Sequence, residues 1–149
     1  MTHVNLATTT APSTRSAVSV GSALKTGAVA GAIASVVNLA ISALARGPLG
    51  ASDDFAPLTP GPIVMWTVLG AIIGAIGWRL IVNRSHRSAA VLRALVPTVL
   101  ILSLLPDVAL LATQAMPGTT TPGVLALMVM HLATAAIAVS AYRRAMPTS

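Results

Sequence analysis

Four stretches of this chain, residues 26–45, 62–82, 94–114 and 124–142, are almost wholly apolar and each about twenty residues long. At 1.5 Å of rise per residue, that length matches the hydrocarbon layer of a bilayer. Lipid offers no water to bond free backbone groups, so such a stretch has to be helical. The pattern predicts an all-α fold, a four-helix transmembrane bundle. The charge content agrees, because only 8% of the 149 residues are charged, against about a quarter in a soluble domain. Subtracting the spans leaves no separate soluble domain, so any site lies inside the bundle or on its short loops.

The net charge of +6 does not point to nucleic acid. The basic residues stand at the ends of apolar runs, and aromatics make up only 3% of the chain. There is no cysteine, which excludes disulfides, thiolate metal sites and cysteine nucleophiles.

Residues 1–21 are rich in Thr, Ser and Ala and are expected to form a disordered cytoplasmic tail. His3 there reads as solvated. Residues 22–144 then form the four-helix domain. In the first span Gly27, Gly31, Ser35, Asn38 and Ser42 recur at three or four residues and share a helix face. Small residues on one face let a second helix approach closely. A competing reading of this span is a cleaved signal peptide, with Ala43-Leu44-Ala45 as the cleavage site. The loop from Gly47 to Gly61 reads as solvated. Its Asp53-Asp54 pair lacks the further oxygen ligands a cation needs, and Thr59-Pro60 reads as an N-cap and first-turn pair.

In the second span Gly70, Gly74 and Gly77 form another packing stripe, and Trp66 and Trp78 lie near its two ends, where indoles favour the membrane interface. The third span holds Pro106 in its interior, which is expected to kink the helix and free the carbonyl of Leu102. The tail after the fourth span is too short to fold.

Orientation follows from the basic residues. Arg15, Lys25, Arg79, Arg84, Arg87, Arg93, Arg143 and Arg144 fall on one side and Arg46 alone on the other. The positive-inside rule puts the eight, and with them both termini and the middle loop, in the cytoplasm. The middle cluster, with His86, could also meet anionic lipid head groups.

Asn38, Asp107 and His131 each lie seven residues from the outer end of their span, about 10–12 Å in. Ser103 stands one turn from Asp107, and Thr134 nearly one turn from His131. A carboxylate in hydrocarbon is costly unless neutral, paired or wetted, so these five residues are expected to form one buried polar cluster. Two readings of it stay open: a lock that sets helix register, and a proton- or ligand-binding site.

Val36-Val37-Asn38-Leu39 with Ala45-Arg46, Pro57-Leu58-Thr59-Pro60, Leu104-Leu105-Pro106 and Met130-His131-Leu132 follow one another in an order that resembles a family of small four-helix membrane proteins. That family is mostly actinobacterial and is classed as a domain of unknown function. The resemblance spans roughly residues 22–142. It implies four helices in a bacterial plasma membrane and brings no activity, substrate or catalytic residue.

The leading expectation is a non-enzymatic structural or accessory membrane protein. Its partners are the lipid bilayer and either further copies of itself or another membrane protein. There is no Glu, no metal-ligand pair at helical spacing, no nucleophile–base pair and no phosphate loop, so neither catalysis nor a cofactor is expected. The alternative is a small transporter or proton-linked permease subunit using Asp107 and His131 with Asn38. Four helices enclose little volume, so that reading requires a dimer or larger assembly.

Overall fold

The computed structural model describes residues 17–149. Within them stand four α-helices, α1 (Val20–Arg46), α2 (Pro60–Arg84), α3 (Ser88–Thr113) and α4 (Thr121–Ala145), with a single 3-10 turn at Ala56–Leu58 and no strand. Each is long and apolar enough to cross a membrane. Most of the expected tail, residues 1–16, lies outside the described residues. Val20 and Gly21, which the tail was expected to include, are already helical.

α1 and α4 begin before their apolar stretches because side-chain caps, not hydropathy, set where they start. Ser19 accepts a bond from the Ser22 amide at 3.1 Å, and Thr120 accepts one from the Gly123 amide at 3.3 Å, so each satisfies an orphan donor of a first turn. Thr59 occupies the N-cap position of α2, but its hydroxyl donates backward to the Ala56 carbonyl at 2.7 Å and caps nothing. α3 runs unbroken through Pro97 and Pro106.

α1 is the central helix and packs against α2 and α4, while α3 leans mainly on α4. The buried face of α1 is Ala23, Gly27, Ala30, Gly31, Ala34, Ser35, Asn38, Ser42 and Ala45, all small except Asn38. A Cβ on Gly27 would stand 2.8 Å from Ile72 Cα, and one on Gly31 would stand 2.9 Å from Val68 Cα. Glycine at these two places is what lets the α1 and α2 backbones meet. In α2 only Gly74 is close-packed, its missing Cβ lying 3.0 Å from the Tyr142 hydroxyl. Gly70 and Gly77 have nothing within 4 Å of a built Cβ, which corrects the expected stripe. Three glycines can share a sequence pattern without all facing a neighbour.

The apolar core comes in two parts. At the end where residues 18, 83, 88 and 149 meet, called here the basic end, Trp78, Leu92, Ala138, Tyr142 and Met146 pack together. At the opposite end Phe55, Leu58, Ile63, Val124 and Met130 form the second cluster. Of α3 only Ser88, Leu92 and Asp107 are buried; Val96, Leu110 and Leu111 pack partly against the two clusters, and most of its remaining apolar surface faces outward.

Three local expectations are corrected by this packing. The loop after α1 is not simply solvated. Phe55 and Leu58 are fully buried, and Gly118, at φ +69°, leaves room for the Phe55 backbone 2.7 Å from where its Cβ would be. Trp78 is buried rather than interfacial, and its indole N–H donates to the Met146 carbonyl at 3.0 Å, whereas Trp66 is exposed. The short C-terminal tail docks: Met146 is fully buried, and the Ser149 amide donates to the Ser88 hydroxyl at 2.9 Å.

Candidate functional site

Between the two apolar clusters lie the costly polar side chains, and they form two groups rather than one. The first joins α1, α2 and α4. The Asn38 amide nitrogen donates to Thr67 Oγ1 at 3.0 Å and to Thr134 Oγ1 at 2.9 Å. Both its N–H donors are thereby used, on two different helices. Asn38 Oδ1 is buried and has no partner among the described residues.

The second group joins α3 to α4. Asp107 Oδ2 lies 3.1 Å from His131 Nδ1, and the same nitrogen lies 2.9 Å from the Leu127 carbonyl one turn back on α4. The carboxylate approach is close enough for an ion pair, yet Oδ2 makes no aligned hydrogen bond. The geometry therefore favours Leu127 as the hydrogen-bond acceptor, with Asp107 held as an electrostatic neighbour. With Leu127 as the acceptor the proton sits on Nδ1, because a bare ring nitrogen would repel both oxygens. The burial is unequal: the Asp107 side chain is 8% exposed and the His131 side chain 39%.

Ser103 stays outside both groups. Its hydroxyl donates to the Leu100 carbonyl on its own helix at 2.7 Å, not to Asp107. Asn38 does not bond Asp107 either. The two groups are linked only through α4, where Thr134 and His131 stand three residues apart. Thr67 was missed by the sequence reading, although depth alone could have found it. It is the one hydroxyl in the second apolar run, and it lies eight residues from Thr59, level with Asn38. Tyr142 was missed as well; its hydroxyl donates to the Ala71 carbonyl through the space Gly74 leaves.

Of the basic residues, Arg79 donates through Nε to the Val18 carbonyl at 2.9 Å, which ties the start of the described chain to α2. Arg84, Arg87, Arg93, Arg143 and Arg144 are exposed around the basic end. At the other end Arg46 pairs with Asp53 at 2.8 Å, so that acid already has a cation from its own chain.

No curated protein and no solved structure matches the chain. A family model does, across residues 18–148, the stretch that holds all four helices and both polar groups. The chain therefore belongs to the family of unknown function DUF6069.

Proposed function

We propose that this protein is a non-enzymatic structural or accessory component of a bacterial plasma membrane, with both termini cytoplasmic, that works through association with further copies of itself or with another membrane protein. The observation that carries this reading is Asn38. The amide that could have met a ligand uses both of its donors on helices of its own chain. Burying a polar side chain among three apolar helices fixes their register, because any rotation strands it in lipid. The outward apolar face of α3 offers area for a partner. Eight Lys and Arg on one side against one on the other support the orientation.

A second reading, a proton-linked transporter subunit using Asp107 and His131, is favoured by the closed-carboxyl, half-open-imidazole geometry. Reconstitution separates the two. Vesicles holding the purified protein and an internal pH dye should leak protons no faster than empty vesicles, and native extraction should give a defined assembly larger than one chain. Proton flux that Asp107→Asn abolishes would replace the first reading with the second.

A further inference from the structure

The three acidic side chains of this chain, Asp53, Asp54 and Asp107, all lie toward the end opposite the basic one. The Lys and Arg gathered at the basic end, Lys25, Arg84, Arg143 and Arg144 among them, therefore have no side-chain carboxylate of their own chain to pair with. The only ion pairs among the described residues, Arg46–Asp53 and Asp107–His131, lie elsewhere. Side-chain counter-charge for the basic end has to come from outside the chain.

A groove of about 380 Å³ runs along the seam between α1 and α4, lined by Ile33, Ala136, Ile137, Ser140, Ala141 and Arg144. Its chemistry is graded. Arg144 and Ser140 stand toward the basic end, and Ile33, Ala136 and Ile137 stand deeper. Arg144 is eight residues from Ala136 along α4, about 12 Å of helix. Lys25, exposed on the antiparallel α1, is eight residues from Ile33 and so reaches the same height as Arg144. A cation at head-group depth above a hydrocarbon trough fits the shape of one lipid molecule. A guanidinium meets a phosphate with paired hydrogen bonds, and its methylene stem can lie along the trough.

We propose that this seam binds one anionic glycerophospholipid, with its phosphate on Arg144 and Ser140, Lys25 level with it on α1, and an acyl chain laid along Ile33, Ala136 and Ile137. The site depends neither on which side of the membrane the basic end faces nor on the function proposed above.

Native mass spectrometry of the detergent-purified protein, titrated with phosphatidylglycerol, tests it. One adduct is expected, tighter than that of phosphatidylcholine. Arg144→Gln should weaken it about fivefold, the loss expected for one cation near an anionic head group. Ala136→Trp, which fills the trough and leaves the charge alone, should weaken it as well. Arg87→Gln, with the same charge loss away from the seam, should not. Lys25→Gln stands in for Arg144→Gln if that variant unfolds. Equal losses in Arg87→Gln and Arg144→Gln would overturn the proposal in favour of diffuse surface charge. An unaffected Ala136→Trp would overturn it too, as would glycerol phosphate binding as tightly as the lipid, which would mark a free-anion site.

Discussion

Asn38 is the residue on which three helices depend. Its amide bridges Thr67 and Thr134, and hydrogen bonds between membrane helices average about 0.6 kcal/mol and reach about 1.7 kcal/mol. Asn38→Ala should therefore lower unfolding free energy in micelles or bicelles by about 1–2 kcal/mol, and Thr67→Val by about half that. Combining the two should cost no more than Asn38→Ala alone, because the bond they share can be lost only once. Additive losses in a denaturation series would show that Asn38 and Thr67 act separately. At this scale the sequence was legible wherever a group cannot satisfy itself. Asn38, Asp107 and His131 stood out in apolar runs, and each finds a neighbour on another helix. Ser103 did not follow, because a hydroxyl can bond a carbonyl one turn back on its own helix and so needs no neighbour.

Among the elements, the α1–α2 contact is set by backbone approach and α3 by its near absence of burial. Gly27 has no room for a side chain, since a Cβ there meets Ile72 Cα at 2.8 Å, while Gly70 opens onto free space. Gly27→Val should destabilise the bundle by about 1–3 kcal/mol through overpacking. Gly70→Ala should cost nothing measurable in a monomer and can gain from alanine's better helix propensity. Thermal unfolding of the two variants side by side checks this, and a large loss in Gly70→Ala would mean that a second copy covers that face. α3 has only Ser88, Leu92 and Asp107 buried. Its attachment thus rests on the contact to His131, on Leu110 and Leu111 against the second cluster, and at the basic end on Leu92 and Val96 in the core and the Ser88–Ser149 bonds. α3 is therefore the helix whose separation from the bundle costs least.

Across the whole molecule, charge is polarised, with every acid toward one end and nearly every base at the other. The chain has no cysteine, so single cysteines can report sidedness without a background. In intact cells a membrane-impermeant maleimide should label Asp54→Cys and spare His86→Cys until the membrane is permeabilised; the reverse pattern would invert the orientation. The sequence alone determined the number of helices, their approximate ends and which polar side chains, Asn38, Asp107 and His131, are carried inside the apolar runs. Each of these follows from a residue's transfer cost along a single axis, and a run of letters records that axis directly. Tertiary structure decided which way each helix is turned. It buried Trp78 and Phe55, left Gly70 and Gly77 open, and divided the polar residues between an Asn38 group and an Asp107 group. The physical reason is the solvent. Lipid is as apolar as a leucine side chain, so hydropathy does not mark an inner face, and rotation about each helix axis is settled only by close packing and by bonds from one helix to the next.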